Sequence, residues 1–349
     1  MAYSEAAYWL AALAVPALPR RVIKRMLYAW CLEGHRTAGD LFEAQAEEIA
    51  QMCAVTVEEA QAILTARSSL ERAQRALDEL ARWGAQVVTR ADEAYPEDWA
   101  RLEEEWQPYY AVFRGDLATL TEPGVAVLGA THPDAEAASL AQALAQWLAK
   151  QGHYLVGGYE EGVDRLAIEA ATAAGGPTVL VLAEGLLQNR PLLEATGEGA
   201  LRLLLSPFAP EAPRRENQAV ARRALILALC GAAFFLAPDE GPARWPLVSE
   251  FARGGLSLFM WQRGAESLPP EWVEIGARPF KGLEDLQYAE QASAAPLLPL
   301  REAEAESPEA PPIAFRDAQE AIARLGQTGK VPEKLAKRLR DALPKGSTE

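Results

Sequence analysis

The sequence predicts an α/β protein: a Rossmann-like parallel sheet with helices on both faces, preceded by a small helical domain. Two patterns carry the sheet. Between residues 124 and 260, short continuously apolar runs alternate with stretches of helical periodicity, as expected of parallel strands buried on both faces. Glycines recur where those runs give way to helices, at Gly129, Gly157, Gly158 and Gly185. A third observation, apolar residues spaced at helical intervals through residues 1–90, carries the helical domain.

Taken in order, Ala6 to Leu13, Arg20 to Leu32 and Val57 to Trp83 read as helices. Thr56 followed by Glu59 forms a capping-box pattern that starts the last of them. Within it Ala73, Leu77 and Leu80 share a face, and Gly84 supplies the stop. Gln86 to Thr89 is a short strand leading into Asp92-Glu-Ala-Tyr-Pro96. From Gly124 the alternation begins. Strands are expected at Val125–Leu128, Tyr154–Val156, Thr178–Leu182, Leu201–Leu205, Ala232–Leu236 and Leu256–Met260. Helices are expected at Asp134–Lys150, with Asp134 as N-cap, and at Gly162–Ala174, Glu216–Leu229 and Pro246–Arg253. Right-handed crossovers would bring every strand-to-helix loop to one edge of the sheet, where ligands of such folds bind. The expected organisation is a helical domain over 1–90, a Rossmann-like domain over 91–290, an Ala/Pro/Glu-rich linker over 291–312, and a short basic helical segment over 313–349. That last segment carries eight Arg and Lys against five Asp and Glu, in a chain whose net charge is −15.

An acidic total works against non-specific affinity for nucleic acid and leaves room only for a local basic groove. The opening MAYSEAAYWL lacks a basic start and an apolar run, so neither leader nor anchor is expected. The longest apolar stretch, Ala224 to Ala237, is too short for a membrane helix and reads as a buried helix entering a buried strand. Three scattered cysteines, Cys31, Cys53 and Cys230, and three isolated histidines form no metal spacing, which fits a reducing cytoplasm. No cofactor is expected.

The chemistry is expected in the loops. Leu128-Gly-Ala-Thr-His-Pro133 joins the first strand to a helix, so Gly129 and Thr131 could present main-chain donors to an anion at a helix N-terminus. Val156-Gly-Gly-Tyr-Glu-Glu-Gly-Val-Asp164 places Gly157, Gly158 and Gly162 between strand and helix, with Asp164 placed to cap the helix or orient the loop. Glu160 and Glu161 are unwelcome beside a phosphate, and Gly185 ends the third strand. Arg222 and Arg223, with Arg214 and Arg215 upstream, suit bidentate phosphate contact. Each feature has a plainer reading as well: a tight turn, a capped helix or a solvated helix face. Nothing matches GxSxG, HExxH or a Walker A loop.

In order along the chain these segments resemble the DprA/Smf (DNA-processing protein A) family over roughly residues 57–262. Tyr109 to Gly115 looks like its "pPxvLyxkG" run, Val125 to Thr131 its "VaIVGsR", and Gly157 to Asp164 its "SGxAxGID". Ala171 to Leu182, Leu205-Ser-Pro207 and Ala219 to Ala237 follow in family order. Several polar positions differ. Thr131 stands where the family has arginine, Ala224 replaces the second arginine of its RNR, and Arg222-Arg223 stands for the RN. The resemblance implies a cytoplasmic, non-enzymatic protein that binds single-stranded DNA, pairs with itself, and helps load a RecA-type recombinase in recombination or natural transformation. It implies phosphate contacts at Gly129, Thr131, Gly157, Gly158, Gly162, Asp164, Gly185, Arg222 and Arg223. Two alternatives stay open. One is a nucleotide-cleaving phosphoribohydrolase-like site near Gly241 to Glu250. The other is a degenerate paralogue that keeps only protein-interaction surfaces.

Overall fold

A computed structural model describes residues 3–196 and 199–286; the expected linker and basic C-terminal segment lie outside the described residues. Nine strands form one sheet: β1 (Gln86–Thr89), β2 (Tyr110–Gly115), β3 (Gly124–Gly129), β4 (Leu155–Gly157), β5 (Thr178–Val181), β6 (Leu201–Ser206), β7 (Cys230–Leu236), β8 (Ser257–Trp261) and β9 (Arg278–Phe280). Their spatial order is β1-β2-β6-β5-β4-β3-β7-β8-β9. The seven strands from β6 to β9 run parallel, as the apolar runs predict. The sheet is mixed, however, because β1 and β2 close one edge antiparallel, β2 pairing with β6.

Alternation within the strands feeds two cores. In β3, Val125 and Val127 face the helices Ala135–Lys150 and Val163–Ala173. Ala126 and Leu128 face the other side, where the helix Glu216–Ala228 contributes Leu225, Ile226 and Leu227. Period-two alternation forces this division, and both faces are apolar because both are covered. Asp134 caps its helix as expected, accepting from the Ala137 N–H at 2.9 Å. The stretch Ala224 to Ala237 is indeed a helix end followed by β7.

The N-terminal helices build a third core of their own around Trp9, Trp30 and Ile49. The capping box of Thr56 and Glu59 is present in both directions. The long helix expected over Val57–Trp83 is broken by a 3-10 turn, Thr65–Ser69. There the Thr65 and Ser68 hydroxyls donate to the carbonyls of Ala62 and Thr65, a local bonding that competes with regular helix. The restarted helix, Leu70–Arg82, presents Ala73, Leu77 and Leu80 to the sheet side. Among the described residues no helix is long and apolar enough to cross a membrane.

A cavity at the switch point of the sheet

The chain builds β3 to β6 in one direction and then returns to lay β7 on the other side of β3. Strand order therefore reverses between β3 and β4 on one hand and β7 on the other, and the crevice outside their carboxyl ends is where open α/β sheets hold ligands. A cavity of about 260 Å³ lies there. Gly129 lines it from the end of β3, Thr131 from the loop after it, Pro238, Asp239 and Glu240 from the loop after β7, and Glu160 from the loop after β4. Arg214, Arg222 and Arg223 line it from the helix Glu216–Ala228 and the segment before it, and Trp245 closes it.

The glycines at this edge are explained by close packing. Gly162 has φ +97°, and a Cβ there would sit 2.2 Å from the Ala130 carbonyl oxygen. It presses the start of its helix onto the β3 loop, where the Val163 N–H donates to Ala130 O at 3.0 Å. A Cβ on Gly158 would come 2.3 Å from the Arg222 guanidinium. Gly157 leaves room for Asp164, and Gly129 for the β7 backbone at Leu236. Gly185 lies apart from the cavity, against the carbonyls of Ala209 and Pro210, with its N–H on Ala212 O.

The loop amides that could cradle an anion are largely engaged within the protein. Asp164 is buried, and its Oδ2 accepts from the N–H groups of Gly158 and Glu160, each at 2.9 Å. Asp239 takes the Thr131 N–H at 2.7 Å, and Leu236 O takes that of Ala130 at 3.1 Å. Of the two readings open for Asp164, the structure gives loop orientation. Tyr159, a candidate for base stacking in such a loop, instead hydrogen-bonds Glu169 at 3.0 Å and carries the Arg165 guanidinium over its ring.

The arginines divide sharply. Arg222 is 2 % exposed. It donates to Gly158 O at 2.9 Å and lies 2.6 Å from the Glu160 carboxylate, so it fixes the loop from beneath. Arg223 points the other way, lies over Trp245 at 4.6 Å, and pairs with Glu240 at 2.7 Å. Arg214 is half exposed and pairs with the same Glu160 that Arg222 holds. Glu240 likewise bridges Arg223 and Arg244. Two buried donors, Arg222 Nε and Trp245 Nε1, find no hydrogen-bond acceptor among the described residues. Arg214, singled out in the sequence beside Arg222 and Arg223, does reach the cavity, whereas Trp245 is a cavity residue that no local motif reveals, because it arrives from the segment after β7.

Burial pushes the Asp164 carboxyl up to about 6, against the pull of Arg222 and of the two amides. A folded-state pKa above the unfolded 3.8 means the folded protein binds the proton more tightly. This group's stabilising contribution is therefore fully present below about pH 4 and is lost as pH rises through about 6. At about 1.4 kcal/mol per unit the change amounts to about 3 kcal/mol. Glu160 acts in the opposite sense and lower on the scale. Burial pushes its carboxyl up, but Arg214 and Arg222 outweigh burial and hold it below its ordinary 4.5, so its contribution is lost only as pH falls beneath that value. Asp164→Asn keeps an acceptor for the loop amides and removes the titration. Urea unfolding between pH 4.5 and 6.5 is expected to show the parent losing stability relative to the Asn variant, by on the order of 1–3 kcal/mol across the interval. Parallel curves would mean that Asp164 keeps the same pKa on folding.

The fold and its switch-point cavity define a Rossmann-like protein with an arginine-lined site at the carboxyl edge of the sheet. Residues 86–240 match the family described as DNA recombination-mediator protein A. It is 28% identical over 144 residues to the DNA processing protein DprA of Streptococcus pneumoniae, a match covering 40% of this chain and 49% of that protein. The match thus spans about half the length of this curated relative. The X-ray structure of DprA from Streptococcus pneumoniae superposes with a TM-score of 0.61 at 19% identity, covering 82% of this chain and 98% of that one. A structure of DNA processing protein A from Helicobacter pylori, described for its single-stranded DNA binding mode, gives a TM-score of 0.46 at 20% identity, over 59% of this chain and 96% of that one.

Proposed function

We propose that this chain binds single-stranded DNA at the switch-point cavity, in DNA processing and recombination, without catalysing a reaction. The observation that carries the reading is the placement of the guanidiniums of Arg214 and Arg223 at the mouth of the crevice, one of them stacked on Trp245. Guanidiniums suit phosphodiester oxygens, and the buried Trp245 ring, packed on Phe235, holds the Arg223 guanidinium in place. Arg222, Asp164 and the glycines act one step behind, holding the loop. In this reading the protein works in the cytoplasm, with a RecA-type recombinase and a second copy of the chain as partners.

The test is oligo-dT affinity at two salt concentrations for the parent, for the double variant Arg214→Ala/Arg223→Ala, and for Thr131→Arg. Thr131 is exposed at the cavity, and arginine there adds the cation this position lacks. The double variant is expected to bind at least about tenfold more weakly, with a salt slope lower by about 0.7 for each lost phosphate contact. The loss should be uniform across base sequences, since phosphate contacts carry no base information. Thr131→Arg should bind more tightly than the parent. A double variant that binds as well as the parent would place the DNA site elsewhere.

A further inference from the structure

We infer that Glu160 and Glu240 are internal stand-ins for backbone phosphates, and that they set the site's specificity: a strand must displace them, and an isolated anion cannot. The inference rests on the DNA-binding reading of this cavity and names what that site admits.

The geometry is that of a phosphodiester already bound. Each carboxylate bridges two guanidiniums, Glu160 those of Arg214 and Arg222, Glu240 those of Arg223 and Arg244. A singly charged group with two equivalent oxygens between two arginines is what a bound phosphodiester presents. Both carboxyls are held below their ordinary range. For Glu160 the arginines overcome burial, and for Glu240 the Arg223 contact leads. Both are therefore ionised at neutral pH, and both compete for the cations a ligand would need. Glu240 is 34% exposed and can swing to solvent; Glu160 turns Oε1 inward onto the buried Arg222, so the half of it open to exchange is the oxygen on the half-exposed Arg214.

Mass action then separates ligands by valence. One phosphate group can take the place of only one of the two carboxylates, in a site whose cations are already satisfied, and exchange gains little. A strand brings several phosphates on one backbone, so each exchange after the first is intramolecular and favoured by effective concentration. The pairs also cut the salt dependence. Guanidiniums neutralised from within release fewer counterions than free ones, so the parent should show a shallow slope.

The experiment compares the parent with Glu160→Gln and Glu240→Gln, using inorganic phosphate, dTMP and oligo-dT of increasing length as probes. Glutamine keeps the shape and one carbonyl acceptor while removing the competing charge. The parent is expected to bind oligo-dT and to show no binding of dTMP or phosphate in the same range. Each Gln variant is expected to bind oligo-dT about three- to tenfold more tightly at low salt, with a log–log salt slope steeper by about 0.7 per cation freed. Glu240 lies on the rim, so Glu240→Gln reports on the inference even if Glu160→Gln disturbs the loop. Gln variants that bind oligo-dT no better than a binding-competent parent overturn the inference alone. If neither parent nor variants bind any strand, the DNA reading falls with it. Tight binding of dTMP by the parent would overturn the valence argument directly.

Discussion

Val156→Asp is expected to abolish folding, leaving protein that is insoluble or melts without a cooperative transition. Val156 is 1 % exposed at the middle of β4, which lies between β3 and β5 near the centre of the sheet. Its backbone partner in β5 is Val179, and both belong to the core on the side of the helix Glu216–Ala228. A carboxylate there has neither water nor a cation, and the penalty for an uncompensated buried charge is at least several kcal/mol. That is comparable with the whole stability of a typical domain, about 5–15 kcal/mol. Val156→Ala serves as the control. It should fold and lose roughly 1–3 kcal/mol, the value of the buried side chain plus the small void left behind. A soluble Val156→Asp protein with a cooperative melt would overturn the placement of β4.

The strand core was the most legible part of the molecule. Leu128, Val156, Val181 and Phe235, each within a strand expected from the sequence, are all buried. That is because two-sided burial imposes a composition that local sequence cannot hide. The antiparallel edge was not legible. Tyr110–Gly115 is recognisable as a motif, but nothing within it says that it lies beside β6, a pairing set by non-local contacts. In the site, the glycine positions were readable and their physical role was not. Gly129, Gly157, Gly158 and Gly162 clear space for backbone and buried side chains rather than leaving a row of open amides. Arg222 and Arg223 look equivalent in sequence, yet neighbours on a helix point about 100° apart. One therefore enters the core and the other faces the cavity. Glu160 was conspicuous as a charge misplaced beside a phosphate, but its two arginine partners come from segments more than fifty residues away.

Arg222→Ala is expected to cost about 3–5 kcal/mol of stability, and to do so before any question of ligand arises. The guanidinium is the counter-charge of a buried cluster. It holds Gly158 O at 2.9 Å and Glu160 at 2.6 Å, and it is the leading favourable influence on the ionised Asp164 carboxyl. Removing it strands a fully buried carboxylate, frees a buried carbonyl and opens a void under Gly158, where a Cβ would otherwise meet the side chain. Breaking a buried pair from one side costs this much because the remaining charge is left uncompensated. The Asp164 carboxyl should rise further in the variant, extending the acid-side stability advantage to higher pH. Arg223→Ala, at a side chain one quarter exposed and paired with a half-solvated glutamate, should change stability by no more than about 1 kcal/mol. Urea unfolding at pH 5 and pH 7.5 separates the two. The Arg222 variant should be clearly weaker at both and most affected at the higher pH, while the Arg223 variant follows the parent. The consequence bears on any binding experiment here. A loss of DNA affinity in Arg222→Ala reports a collapsed loop unless the fold is shown intact, whereas the same loss in Arg214→Ala/Arg223→Ala reports the contact itself. An Arg222→Ala protein within 1 kcal/mol of the parent at both pH values would mean that the loop after β4 is held by Asp164 alone.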